Sequence, residues 1–283
     1  MRRIILLIIT FVIFTLIAIS CGAEETLYVG ILPYYAPDKI WHFYRPFISY
    51  LNKETGLKWD LKLYHSYDAI IDGICKNEVS IAYLGPIPFG LARERCKIRP
   101  LLVVLGADGK PFYKSIIFTG NRNINSLKDL RGKTFAFGDK DSTSSTIVPR
   151  KMLEDEGITI NLIKPLFMKS HEKIIGAVAR NEASAGAIKV SVFEKFRGLG
   201  FRILKVSEPI PHHCFCTVNI NTDVEKKFIN ALIKLTSRNP SDRNIIKNWD
   251  PELRYGFTIP PDDYITRILE LQNSLKKYYD EQK

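Results

Sequence analysis

The stretch Thr134 to Gly157, "TFAFGDKDSTSSTIVPRKMLEDEG", sets a short apolar run and a glycine before two acids flanking a lysine, five hydroxyl residues in succession, and helix-forming sequence ending on glycine. Read as strand, turn and helix, it puts Gly138 at the strand end and Ser142, Thr143 and Ser144 in the first helical turn. The first N–H groups of a helix have no acceptor within it, and the helix dipole adds partial positive charge at that end. With hydroxyl donors added, the arrangement is a receptor for a tetrahedral oxyanion. One serine or threonine would serve as a cap; five exceed that need. The run lacks the Gly-Lys step of the nucleotide phosphate loop.

The same alternation continues outward on both sides. Before it, "TLYVGIL", "KWDLKLY" and "VSIAYLG" read as strands, and "DKIWHFYRPFISYLNKETG", "SYDAIIDGICKNE" and "PFGLARER" as helices. From about Tyr113, "YKSIIFTG" reads as a strand and "SLKDLRGK" as a short capped helix. Beyond Gly157, "HEKIIGAVARNEA" and "VSVFEKF" read as helices, "SAGAI" and "FRILKVSE" as strands, and "PIPHHCFCTVNI" as a segment crossing back. Two or three helices fill 223–283. Strand, helix, strand at this spacing is the signature of a parallel sheet. Two α/β lobes joined by crossing segments follow.

With 283 residues, 46% hydrophobic and 25% charged, the chain is long enough for two lobes with real cores. Its N-terminus stands apart: Met1-Arg2-Arg3, an unbroken apolar run, then Ser20-Cys21-Gly22 describe a secretory signal. Ala18 to Cys21 resembles the lipobox of bacterial lipoproteins, in which the cysteine is lipidated, with Ala where Leu is usual. The alternative is an uncleaved membrane anchor, for which the run is marginally short. The net charge of +11, or +9 without Arg2 and Arg3, comes from Lys and Arg scattered singly among acids. That pattern suits a small anion or anionic lipid and speaks against nucleic acid.

After Cys21 come Cys75, Cys96, Cys214 and Cys216, which in an oxidising compartment allow up to two disulfides. Cys75 and Cys96 each end a predicted helix and form the favoured pair. In "HHCFC" (His212 to Cys216), a strand puts His212, Cys214 and Cys216 on one face and His213 on the other. No Cys-x-x-Cys spacing supports a metal there, so no metal or cofactor is expected.

Several spaced motifs resemble the solute-binding proteins of bacterial ABC importers for phosphate, phosphite and phosphonates: "YDAIIDGICKNEVSIAYLGP", "GKPFYKSIIF", "SLKDLRGKTFAFGDKDSTSST", "IVPRKMLEDEGI", "SHEKIIGAVARNEASAGAI" and "SEPIPHHCF". The resemblance implies a two-lobed periplasmic-binding-protein fold of type II, with lobe 1 at 25–112 plus 214–283 and lobe 2 at 113–213. It also implies closure on an anion held at Ser142, Thr143 and Ser144, with Tyr67, Tyr113 and His171 directed at the ligand. The implied partners are an ABC permease and its ATPase. The chain would act as a monomer, periplasmic or on the cell surface, held by a lipid on Cys21.

Where binders of aminoalkylphosphonates are similar but carry acids, this chain has Lys189 and Ser191 after "SAGAI" and His213 in "IPHH". No carboxylate is placed to receive an amine. If Lys189 reaches the cleft it repels an ammonium and favours phosphate, phosphite or an amine-free phosphonate; otherwise it snorkels to water. Gly-x-Ser-x-Gly and His-Glu-x-x-His are absent, which argues against an enzyme. A sensor of the same fold is the other reading; nothing following Lys283 favours transport.

Overall fold

The computed structural model describes residues 25–280; the apolar N-terminal run, and the lipidation reading at Cys21, lie outside the described residues. In chain order the strands are β1 (Leu27–Ile31), β2 (Trp59–Leu63), β3 (Ile81–Leu84), β4 (Arg99–Val104), β5 (Phe112–Tyr113), β6 (Ser115–Thr119), β7 (Thr134–Phe137), β8 (Lys164–Phe167), β9 (Ala185–Lys189), β10 (Arg202–Val206), β11 (Ile210–Pro211), β12 (Cys214–Thr217) and β13 (Phe257–Thr258). The helices are α1 (Pro37–Thr55), α2 (Tyr67–Cys75), α3 (Pro86–Arg95), α4 (Val148–Glu154), α5 (His171–Ala179), α6 (Val190–Phe193), α7 (Thr222–Leu232), α8 (Pro240–Ile246) and α9 (Tyr264–Asp280).

Two sheets divide the chain into lobes. One runs β13-β4-β12-β3-β1-β2 and the other β10-β6-β9-β7-β8, with the two-stranded ribbon β11-β5 between them in sequence. Every position of β3, β6 and β9 is buried, as expected of central strands covered by helices on both faces. Helix α1 starts on Pro37 and stops at Gly56, whose φ of 66° lets its N–H reach Asn52 O. Its Ile40, Tyr44, Phe47 and Leu51 face the first core.

The expectation of parallel sheets needs correction. β1 pairs in parallel with β2 and β3, but β12 lies antiparallel between β3 and β4. In the second sheet β7 is parallel to β8 and β9, while β6 is antiparallel to β9. The antiparallel strands adjoin the crossings between lobes, where the chain enters a sheet without an intervening βαβ helix. Strands β4 and β8 carry no assignment in the sequence reading. β4 is a continuous apolar run that leads into a crossing, and β8 is an exposed edge strand containing Pro165.

Cys75 and Cys96 are disulfide-bonded with Cα atoms 5.6 Å apart, tying the end of α2 to that of α3. Cys214 and Cys216 are free and buried in β12. Among the described residues, no helix is long and apolar enough to cross a membrane.

Candidate ligand-binding site

Between the lobes lies a cavity with about 260 Å³ of space not filled by atoms, lined by Leu32, Tyr34, Tyr67, Gly85, Pro88, Tyr113, Ser142, Thr143, Ser144, His171, Lys189 and His213. The structure thus brings Tyr67, Tyr113, Ser142 to Ser144, His171, Lys189 and His213, from six segments of sequence, around one space. Helix starts do much of the positioning. Tyr67 and His171 are the first residues of α2 and α5, after Ser66 and Ser170, whose hydroxyls accept N–H bonds from Ala69 and Lys173. Gly85 caps α3, so the α3 start faces the same space. Helix starts converging on one cavity sum their partial positive charge there.

The hydroxyl run does not begin an α-helix. Thr143–Ile147 form a π-helical turn in which Ile147 N–H donates to Ser142 O at 3.0 Å. Pro149 has no N–H to offer Ser145 O four residues back. That carbonyl instead accepts from Gly138 N–H at 3.0 Å. Gly138 is needed there: a Cβ would sit 1.9 Å from Ser145 Oγ. Single π turns of this kind recur at functional sites.

The five hydroxyls divide by task. Ser142 Oγ is the cap: it accepts from Ser145 N–H at 3.3 Å and Ser145 Oγ at 2.6 Å. Thr146 Oγ1 donates to Asp139 O at 2.8 Å. Thr143 Oγ1 accepts Ile87 N–H across the cleft at 3.1 Å, which leaves its own proton to give. Ser144 lines the cavity, and its carbonyl is held by Ser115 Oγ at 2.6 Å. Thr143 and Ser144 are therefore the two placed to donate inward.

Other donors wait in the same space. Among the described residues, the Tyr113 hydroxyl and both ring nitrogens of His171 are buried without a hydrogen-bond partner, a costly state unless something binds there. Burial, reinforced by Lys189 and Lys195, pushes His171 down to about 3, so the ring is neutral, one nitrogen donating and one accepting. Burial raises the Tyr67 hydroxyl well above its ordinary value, and that group lies against Ser142.

Lys189, the last residue of β9, points inward, not to solvent, and is 2% exposed. Its Nζ lies 2.6 and 2.7 Å from the two carboxylate oxygens of Glu252 and 3.2 Å from His213 Nδ1. It sits 4.4 Å from the centre of the Tyr113 ring and 5.9 Å from that of Tyr34. Burial lowers its pKa, and Glu252 opposes that shift. Tyr83 also donates to Glu252, at 3.1 Å. Burial, with Glu252 next, raises Asp250 to about 7, and burial pushes His212 and His213 well down. The ligating atoms of His212, His213 and Glu252 lie within 4.8 Å of one another, but a lysine ammonium already serves that carboxylate. The sequence reading placed no carboxylate to receive a ligand amine; Glu252 lies beside the site, and Lys189 already holds it. The Glu252 segment, "NWDPELRYG", carries only the local signal of Asp250 capping Glu252 N–H at 2.8 Å. Tyr34, in "LPYYAP", had no signal beyond its place after β1.

Contacts cross the cleft: His171 N–H donates to Tyr34 O at 3.2 Å, Lys195 Nζ to Tyr35 Oη at 2.8 Å, and Lys39 pairs with Glu172 at 2.6 Å.

Residues 29–263 match the family described as the periplasmic substrate-binding protein of the phosphonate ABC transporter. The chain belongs to this family. It is 29% identical over 177 residues to the phosphate-import protein PhnD of Mycolicibacterium smegmatis, covering 58% of this chain and 55% of that one. It is 27% identical over 180 residues to the phosphonates-binding periplasmic protein of Escherichia coli, covering 62% and 53%. The matches span about half the length of these curated relatives. The PhnD1 structure of Prochlorococcus marinus in complex with methylphosphonate superposes with a TM-score of 0.77 at 20% identity, covering 90% of this chain and 100% of that one. At that identity the likeness establishes the fold: two-lobed, α/β, of the periplasmic-binding-protein kind.

Proposed function

We propose that this family member is the extracytoplasmic solute-binding component of an ABC importer, closing its lobes on a small phosphorus oxyanion: phosphate, phosphite or an amine-free phosphonate. The observation that carries this reading is the set of buried groups with nothing to bond, the Tyr113 hydroxyl and the His171 ring, facing the same cavity as Thr143 and Ser144. Its lining of hydroxyls, tyrosines, histidines and one lysine offers hydrogen-bond donors from several sides, which suits a small anion. Lys189, neutralised by Glu252, leaves no carboxylate free for an ammonium. The relatives named for phosphate import and phosphonate binding belong to the same ligand class. Delivery would be to a membrane permease and its ATPase, from a lipid anchor on Cys21; Cys21→Ser should then release the protein from the membrane fraction.

Thermal unfolding of the mature chain with excess phosphate, phosphite, methylphosphonate, 2-aminoethylphosphonate, sulfate or molybdate tests the ligand class. A phosphorus oxyanion should raise the midpoint by mass action. No rise with any of them ends the proposal.

A further inference from the structure

The surroundings of Lys189 Nζ are those of a receptor for an ammonium ion: two carboxylate oxygens at 2.6 and 2.7 Å, a neutral imidazole nitrogen at 3.2 Å and the face of Tyr113 at 4.4 Å from the ring centre. An aromatic face and a desolvated carboxylate together are what a buried cation needs. This receptor is assembled from both lobes, Lys189 ending β9 in the second sheet and Glu252 following α8 beside the first. Tyr113 links it to the anion side: its ring covers the ammonium, while its unpartnered hydroxyl lies beside Thr143 and Ser144. Lys189 is also strand-paired with Ser115, whose hydroxyl holds the Ser144 carbonyl. Tyr113 thus borders both the cage and the hydroxyl wall.

We propose that Lys189 is a resident occupant of an ammonium receptor formed by Glu252, His213 and Tyr113, and that removing its side chain converts the cavity to one that selects an aminoalkylphosphonate. This rests on the phosphorus-oxyanion reading above. Lys189 thereby determines specificity in two ways: it fills the space an alkylamine would take, and it satisfies the carboxylate that would hold it. With the side chain cut back to Ala, Glu252 keeps its bond from Tyr83 but loses its cation, and an incoming ammonium restores the pair while bringing its phosphonate to the hydroxyl wall.

The test is the ratio of dissociation constants for methylphosphonate and 2-aminoethylphosphonate, by calorimetry, in the unaltered protein and three variants. The unaltered protein should prefer methylphosphonate. In Lys189→Ala the preference should reverse, the ratio moving by roughly 10- to 150-fold, the worth of a hydrogen bond to a charged group. Lys189→Met fills the space without the charge and should not gain the aminated ligand. Lys189→Ala/Glu252→Gln, which has the space without the carboxylate, should lose the gain. An unchanged ratio in Lys189→Ala, or an equal gain in the double variant, overturns the proposal. If Lys189→Ala is unfolded when empty, its thermal recovery by each phosphonate gives the same answer: recovery by the aminated ligand alone is expected, and recovery by both alike or by neither overturns it. Failure of the unaltered protein to bind any phosphorus oxyanion refutes the importer reading instead, so the two failures are distinct.

Discussion

The two walls of the cavity are built on opposite principles. The hydroxyl wall, Ser142 to Thr146, is one continuous stretch of neutral donors whose bonds run to near neighbours: Ser145 to Ser142, Thr146 to Asp139, Gly138 to Ser145. The ionic wall takes Lys189, His213 and Glu252 from segments far apart and pairs the charges of Lys189 and Glu252 across the cleft, with the His213 ring against the ammonium. Neutral dipoles can be fixed locally, and one left unpaired costs about 1–3 kcal/mol. A buried charge cannot be left so, because the desolvation of an unpaired ion amounts to several kcal/mol. The first wall is therefore fixed mostly within one lobe, with Thr143 also accepting from Ile87 across the cleft, whereas the second is complete only when the lobes meet.

The contrast breaks most visibly at Glu252. Glu252→Gln leaves the Lys189 ammonium buried beside neutral groups, and the ligand-free protein should lose roughly 3–5 kcal/mol, the cost of breaking a buried pair. Denaturant unfolding measures this, and excess phosphorus oxyanion should restore part of it. A loss at the level of an exposed pair, under about 1 kcal/mol, would mean that the two walls do not differ in kind.

On the neutral wall the effect should appear in affinity instead. Ser144→Ala should cost about 1.5–3 kcal/mol of oxyanion binding, the worth of one hydrogen bond to a charged group, with little change in unfolding. Thr143→Ala should cost both, since it also strips Ile87 N–H of its cross-cleft acceptor. Calorimetry beside denaturant melts separates the two, and equal losses in both variants would refute this division of roles.

A smaller effect concerns pH. His171 is held neutral in the folded protein, near 3, against an unfolded value of about 6.5. The unfolded chain therefore binds the extra proton, so the contribution from this histidine is present above pH 6.5 and is lost as pH falls toward 3, by at most about 1.4 kcal/mol per unit. His171→Gln should flatten that part of the acid limb in ligand-free melts. An acid limb identical to that of the unaltered protein would show that the ring is solvated. The smallest change is expected from Ser142→Ala, where the loss of a cap should cost about 1 kcal/mol of stability and leave the Thr143 and Ser144 donors in place; a larger loss of affinity than of stability would move Ser142 into direct contact with the ligand.

Much of this was readable in the order of residues. The helices opening at Ser66 and Ser126, the end of α1 at Gly56, and the turn of a glycine and hydroxyls before α4 were marked in the sequence, because the bonds that set them join residues a few positions apart. Which two of five hydroxyls stay available was not readable. That depends on Pro149 freeing the Ser145 carbonyl and on Ile87 arriving from the other lobe. Lys189 left two readings open in the sequence, buried or snorkelling, and tertiary structure chose burial by bringing Glu252 to it over 63 residues. A capping bond must be encoded within a turn of its donor. The partner of a buried charge need only be near in space, so nothing in the neighbouring sequence has to announce it.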